Sequence, residues 1–228
     1  MSSMLAVGPW FDLARQGPSR TLRGMDPTTV PTTRPDLVFV GGAPGVGKST
    51  VARALAERLD MDVMHVDDIH TALERMTDPE RFPPLHEWRL HPDRVLARDA
   101  AGMLEHTRNV SAIVAEALTP VVADRLEYGV RSVFEGDFVQ PAFASSSAFD
   151  DEPAAGRVRS VFLHDTLEQF AANIRAREGE DQPRRAEISW SYSEWLRTEC
   201  ERVGAPSIAA RPWESALDRA LAAIGALE

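Results

Sequence analysis

Cysteine, long apolar runs and excess positive charge are all scarce in this sequence, and each shortage excludes a class of protein. The single cysteine, Cys200, excludes an intrachain disulfide and a metal site built from several thiolates, and we interpret it as an ordinary helix residue. The sequence contains no stretch of about 18 apolar residues, so we predict no membrane span. The first residues do not resemble a secretory signal. We therefore expect a cytoplasmic protein without a membrane partner.

Acidic residues outnumber basic ones, 35 to 25, and give the chain a formal net charge of −10. Proteins that bind nucleic acid along a surface usually present a basic face to the phosphates. We therefore expect no nucleic-acid partner, although a small basic pocket for phosphate groups is compatible with this charge. A hydrophobic fraction of 43% over 228 residues is enough for one α/β domain with a sizeable core.

The first 35 residues differ in composition from the rest of the chain. The stretch 25–35 is rich in Thr and Pro and has neither helical nor strand periodicity. We predict a flexible leader over residues 1–35 and a folded domain over residues 36–228. The alternative is a short helix around Trp10, Phe11 and Leu13 that docks on the domain.

Apolar runs alternate with amphipathic segments along the folded part of the chain. This alternation predicts an α/β fold in which helices cover both faces of a parallel sheet. Residues 81–91, 144–156 and 178–185 are interpreted as irregular segments or loops. The predicted strands are 37–40, 62–66, 130–134, 158–163 and 206–209, and the predicted helices are 48–59, 69–76, 92–106, 111–128, 167–177, 192–203 and 214–227.

A glycine-rich loop follows the first predicted strand and matches the pattern G-x-x-x-x-G-K-[ST] at every fixed position. Glycines let the backbone N–H groups turn towards phosphate oxygens, and the helix that follows adds its positive N-terminal end. Lys48 is expected to reach the β- and γ-phosphates, and the Ser49 hydroxyl is expected to bind Mg²⁺. The predicted nucleotide-binding residues are Gly42, Ala43, Pro44, Gly45, Val46, Gly47, Lys48, Ser49 and Thr50.

The nucleotide is expected to be ATP, because no Asn-Lys-x-Asp guanine motif follows the loop. The loop alone predicts phosphate binding and does not by itself predict catalysis.

The segment GGAPGVGKSTVARALAERL, followed about twenty residues later by HVDDI, resembles the small-molecule kinase branch of the P-loop proteins. Shikimate, gluconate and 2-phosphoglycerate kinases belong to that branch, and SVFEGDFVQP is similar to a strand-three pattern of 2-phosphoglycerate kinase-like proteins. The resemblance covers roughly residues 36–227. It implies a three-layer sandwich around a five-stranded parallel sheet of order 2-3-1-4-5, with a substrate region over 69–129 and a lid region over 167–191.

The same resemblance implies an activity and roles for four acidic residues. The implied reaction is ATP- and Mg²⁺-dependent phosphoryl transfer to a hydroxyl of a small metabolite. Of Asp67 and Asp68, one would help to hold Mg²⁺ through water, with Asp67 favoured, and the other would orient or deprotonate the acceptor hydroxyl. Glu135 and Asp137 would bind Mg²⁺ or its water. The alternative is that these acids only cap helices or occupy solvated turns.

Arginines of the lid region would stabilise charge on the transferring group. Arg175 is the predicted catalytic one, although Arg175 and Arg177 lie two residues apart on a helix and cannot share a face. Arg184 and Arg185 are further candidates. Arg211 is predicted to stack on the adenine, whereas Trp213 is interpreted as a packing residue.

The acceptor itself is not named by any motif. The residues predicted to hold an anionic acceptor are Arg89, His91, Arg94 and Arg98. Alternatives to the kinase are a toxin-like or antibiotic phosphotransferase and a nucleotide-switched regulatory ATPase or binding protein. An oligomeric motor of the AAA type is disfavoured, because we expect no C-terminal helical domain. The sequence does not set the oligomeric state.

Overall fold

A five-stranded parallel sheet forms the centre of the computed structural model, which describes residues 34–145 and 156–226. The strand order is β2-β3-β1-β4-β5, so the predicted fold class and sheet order are confirmed. The strands are β1 (Leu37–Gly42), β2 (Asp62–His65), β3 (Ser132–Glu135), β4 (Val158–His164) and β5 (Ser207–Ala209).

Helices connect the strands and pack in two groups. In one group α1 packs against α9, β1 and β3; in the other, α8 packs against α5, α6, α7 and β4. The helices are α1 (Lys48–Leu59), α2 (Val66–Met76), α3 (Pro83–Leu90), α4 (Pro92–Leu96), α5 (Ala100–Tyr128), α6 (Pro141–Ala144), α7 (Leu167–Glu178), α8 (Pro183–Val203) and α9 (Ala216–Ala223), with a 3₁₀ turn at Trp213–Ser215.

The central strand β1 is buried along its whole length, as its continuous apolar run predicts. Phe39 lies at its middle. The centroid of its ring lies 5.2 Å from that of Phe134 and 5.6 Å from that of Phe143. The parallel register places Val40 and His65 on either side of Glu135. The ends of β1, β2 and β3 therefore meet at one edge of the sheet, where such folds bind ligands.

Several predicted boundaries are wrong. Within residues 81–91, which were expected to be irregular, Pro83–Leu90 form α3, which begins at a proline. The two helices expected over 92–106 and 111–128 are the short α4 and one continuous α5. The expected loop 178–185 is reduced to residues 179–182, because Pro183 begins α8.

Some predictions fall outside the described residues. These are nearly all of the leader predicted over residues 1–35, most of the loop predicted over 144–156, and the last two residues of the chain. The division into leader and domain stays a prediction. Within the described parts of the chain, we find no helix with both the length and the apolar character that a membrane crossing requires.

We expect Phe39→Ala to lower the free energy of unfolding by about 3–5 kcal/mol, because it leaves a cavity beneath two packed rings. Urea denaturation measures this change. Met76→Ala is the control, since the Met76 side chain is 86% exposed and its truncation should change stability by less than about 0.5 kcal/mol. Equal effects of the two variants would contradict this description of the core.

Candidate functional site

The loop between β1 and α1 surrounds a cavity of about 400 Å³. Gly47 ends this loop with a positive φ of 100°, a conformation that favours glycine. A Cβ atom at Gly47 would lie 2.1 Å from Cη2 of Trp213, so the indole also requires glycine there. The loop therefore has the shape of a phosphate cradle at the N-terminus of α1, and Trp213 supports it from outside.

Lys48 is buried and connects the loop to the end of β3. Its ammonium donates a hydrogen bond to the Ala43 carbonyl over 3.1 Å and forms an ion pair with Asp137. The hydroxyl of the neighbouring Ser49 donates to Oε1 of Glu135 over 3.1 Å, and Nδ1 of His65 contacts the same oxygen. The Glu135 carboxylate thus joins the loop to the last residue of β2.

Asp67 is the third carboxylate that lines the cavity, beside Glu135 and Asp137. Part of its side chain is open to solvent. Loss of hydration in the cleft and the negative charges of Asp137 and Glu135 nevertheless raise the pKa of Asp67 to about 6, against the opposing charge of Lys48. Gly136 permits this approach, because a Cβ there would lie 2.9 Å from Cβ of Val66 and 3.2 Å from Oδ1 of Asp67.

This concentration of negative charge beside the Ser49 hydroxyl fits a hard divalent cation. Within the described ranges, no group of three or more His, Cys, Asp or Glu is placed to enclose a metal by itself. Mg²⁺, however, usually takes one or two carboxylates and completes its shell with phosphates and water. Ser49, Asp67, Glu135 and Asp137 all line the cavity and suit that mode of binding.

The lid arginines are placed differently from the prediction. Arg175, predicted to be catalytic, does not line the cavity. Its side chain is 69% exposed, and its Nη1 atom lies 3.6 Å from Oδ1 of Asp181. Arg177 and Arg185 do line it. The phase of α7 therefore turns Arg177, rather than Arg175, towards the loop, and a catalytic role for either arginine stays a prediction.

Arg211 lies behind the loop, in a polar chain that the sequence did not reveal. Its guanidinium lies over the Trp213 ring, 4.5 Å from the centroid, and donates to Oδ1 of Asn173 over 2.8 Å. The Asn173 amide in turn donates to the Gly45 carbonyl over 3.0 Å. Arg211 thus already stacks on an aromatic face of the protein, which is a different contact from the predicted adenine stacking.

A second, larger cavity of about 810 Å³ adjoins the first. The two cavities share Pro44, Asp137 and Arg185. The Tyr192 hydroxyl, on α8, donates to the Asp137 carbonyl over 2.7 Å and fixes this junction. Tyr192 could not be predicted from the sequence, because the helix expected over 192–203 begins there, whereas Tyr192 lies near the middle of α8.

All four residues predicted to hold an anionic acceptor lie outside both cavities. Arg89 pairs with Glu74 over 2.7 Å, and Arg98 pairs with Glu87 over 2.7 Å. The side chains of His91 and Arg94 are exposed and line neither cavity, and the same holds for Asp68. The second cavity instead contains His70 and His106, which no motif indicated.

The pKa of Asp67 predicts how its removal changes stability. Since the pKa is raised from the model-peptide value of 3.8 to about 6, the folded state loses stability as the pH rises through this range. We expect Asp67→Asn to increase stability at pH 8 by about 1 kcal/mol, after allowance for solvent screening, and by less at pH 4.5. Thermal unfolding at both pH values measures this difference.

Asp68→Asn is the matched control, because it removes a charge from the same turn of α2 without touching either cavity. The same gain from Asp67→Asn at both pH values would contradict the electrostatic description of the site.

Comparison with known proteins gives a family. The family model described as AAA domain matches residues 37–189, more than half of the chain. The 2-phosphoglycerate kinase of Pyrococcus horikoshii is 30% identical over 115 residues, which cover 48% of this chain and 37% of that protein. The 2-phosphoglycerate kinase of Methanothermobacter thermautotrophicus is 29% identical over 136 residues, which cover 56% of this chain and 43% of that protein. The chain spans about two fifths of the length of these curated relatives.

A solved structure, TT1252 from Thermus thermophilus, has the same fold. It is 19% identical, with a TM-score of 0.50 over 84% of this chain and 97% of that one. The resemblance to P-loop small-molecule kinases, carried in the sequence by the loop and the acidic strand ends, is confirmed by these relatives. The chain belongs to the AAA domain family of P-loop proteins, and its curated relatives include small-molecule kinases.

Proposed function

We propose that this protein is an ATP- and Mg²⁺-dependent phosphotransferase that phosphorylates a hydroxyl of a small molecule. The observation that carries the proposal is the meeting of two cavities at Asp137. One is lined by the phosphate loop and the other is large enough for an acceptor. A hydroxyl in the larger cavity can therefore approach a terminal phosphate in the smaller one, which is the positioning that phosphoryl transfer requires.

Lys48 and Ser49 act on the nucleotide side. The Lys48 ammonium exchanges its contact with Asp137 for oxygens of the β- and γ-phosphates, whose charge it neutralises. Ser49, Asp67 and Glu135 would hold Mg²⁺, directly or through water. Bound Mg²⁺ would supply positive charge beside Asp67, whose pKa is raised by loss of hydration and by the charges of Asp137 and Glu135.

Asp137 acts on the acceptor side, because it alone among the three carboxylates lines both cavities. Once Lys48 engages phosphate, the Asp137 carboxylate is free to accept a hydrogen bond from the acceptor hydroxyl. The hydroxyl oxygen forms a bond to the γ-phosphorus, the bond to the β–γ bridging oxygen breaks, and ADP leaves. The hydroxyl proton passes to the carboxylate and then to solvent. This assignment replaces Asp68, which lies outside both cavities.

Arg177 and Arg185 close the arrangement from α7 and α8. Both line the phosphate cavity, and a guanidinium there stabilises negative charge on the transferring group. Arg185 also pairs with Glu178, which holds it near the junction. The connection between the two helices, residues 179–182, begins at Gly179, whose φ of 81° ends α7. The cytoplasmic location stays a prediction.

The proposal is tested by measuring ADP formation by the purified protein with Mg²⁺ and ATP, alone and with a panel of hydroxylated compounds. 2-Phosphoglycerate belongs in the panel because the curated relatives carry its name. Stimulation by one compound, with a phosphorylated product identified by mass spectrometry, supports the proposal. Slow hydrolysis that no acceptor stimulates would contradict it and favour a nucleotide-switched ATPase.

We expect Lys48→Ala to lower acceptor-dependent turnover at least about 100-fold, because it removes the main positive charge at the phosphates. Circular dichroism should show an unchanged helix content. An unchanged rate of acceptor-dependent turnover in this variant would contradict a role of the loop in the reaction.

We expect Arg177→Ala to lower kcat about 10- to 100-fold, because its guanidinium reaches the phosphate cavity. Arg175→Ala, two residues away on the exposed side of α7, should change kcat less than about twofold. Steady-state kinetics on both variants checks this pair. A larger loss of kcat in Arg175→Ala than in Arg177→Ala would favour Arg175, the residue predicted from the sequence.

A further inference from the structure

The walls of the larger cavity are mainly apolar. They come from α3, α4, α5 and α8 and from the segment after β3, and include Trp88, Leu96, Met103, Leu104, Phe138 and Ile188. A volume of about 810 Å³ is near the upper end of pockets that hold drug-sized ligands. A compact sugar acid would leave most of these walls in contact with water, so the cavity is built for a larger, less polar body.

Positive charge is confined to one side of this cavity. Among the described residues that line it, the charged side chains are Asp137, Arg184 and Arg185. Arg184 donates to the Arg98 carbonyl over 2.6 Å, and Arg185 is paired with Glu178. A polyanion that occupied the apolar part would lose hydration without a cation to replace it, which is unfavourable.

The two histidines in the cavity add no positive charge at neutral pH. Loss of hydration is the main cause that lowers the pKa of both His70 and His106. The His70 ring packs on Phe138, with centroids 4.6 Å apart. The His106 ring contacts Glu87, with Nδ1 3.3 Å from Oε2, while its Nε2 has no hydrogen-bond partner among the described residues.

The contact with Glu87 assigns the proton of neutral His106 to Nδ1. Nε2 is then an acceptor, buried and unsatisfied, on a side chain that lines the cavity. A buried acceptor of this kind is costly unless a ligand or a water donates to it. It therefore offers a second polar contact within an otherwise apolar space.

We propose that the acceptor is an uncharged amphipathic alcohol, with an apolar body of roughly drug size in the larger cavity, its reacting hydroxyl at Asp137 and a second hydrogen-bond donor at His106. This proposal rests on the proposed function and names the substrate class of that same site. It distinguishes this protein from a kinase of compact polyanions such as 2-phosphoglycerate.

The test uses acceptors that share a glycerol skeleton and differ in the group attached to it. The probes are glycerol, 2-phosphoglycerate, 3-phenoxy-1,2-propanediol and 3-(1-naphthyloxy)-1,2-propanediol. Phosphorylation of each is measured with the full-length protein, ATP and Mg²⁺. We expect kcat/KM to rise on the order of 10- to 100-fold from glycerol to the aryl ethers, because each aryl group buries apolar area. We expect 2-phosphoglycerate to be no better than glycerol.

Two variants of the cavity wall and one control locate the effect. Trp88→Ala and Leu96→Gln alter walls whose side chains are 45% and 59% exposed, so neither variant should unfold the protein. Both should lower kcat/KM for the naphthyl ether about tenfold and leave KM for ATP unchanged. Met76→Gln, a highly exposed position that lines neither cavity, should change neither constant.

The outcomes separate the two proposals. A higher kcat/KM for 2-phosphoglycerate than for the aryl ethers overturns the acceptor class and keeps the phosphotransferase. If no probe is phosphorylated, calorimetric binding of the naphthyl ether in the presence of Mg²⁺ and a non-hydrolysable ATP analogue decides. If the naphthyl ether binds and Trp88→Ala weakens its binding, the cavity assignment is supported and the phosphotransferase is contradicted. If the naphthyl ether does not bind, the acceptor class is overturned.

Discussion

The contact of Lys48 with Asp137 is the interaction on which the site depends. It joins the phosphate loop to the end of β3, and it does so in a corner that also contains Glu135 and Asp67. Loss of hydration, together with the negative charges of Asp137 and Glu135, raises the pKa of Asp67 against the opposing charge of Lys48. The free site is therefore unbalanced towards negative charge. Under the proposed function, a divalent cation would offset this charge, and phosphate oxygens that engage Lys48 would free Asp137.

Parallel strand pairing explains how distant segments reach this corner. Because β1 lies between β3 and β4 and β2 pairs with β3, the chain segments that follow β1, β2 and β3 leave the same edge of the sheet. The strands β1 and β3 are buried along their whole length, so the side chains at their ends are held in place by the core. Behind the loop, Trp213 and the chain from Arg211 to Asn173 hold the cradle from the other side.

The sequence was sufficient for the features that depend on contiguous or alternating residues. The phosphate loop, the five strands and the acids at the strand ends could be predicted in this way, and the resemblance to small-molecule kinases implied the strand order. Features that depend on helix phase and tertiary packing could not. Whether Arg175 or Arg177 faces the nucleotide depends on where α7 ends, and Tyr192 reaches Asp137 only because α8 begins at Pro183. The apolar character of the larger cavity arises from faces of four helices, which no single segment reveals.

The two cavities have few residues in common, namely Pro44, Asp137 and Arg185. One wall of the larger cavity is built from side chains of α3, α4 and α5, none of which lines the phosphate loop's own cavity. Under the proposed function, substitutions in α3, α4 and α5 can change which acceptor fits, while the residues around the nucleotide stay the same. A fold divided in this way can acquire a new acceptor without rebuilding the part that transfers the phosphoryl group.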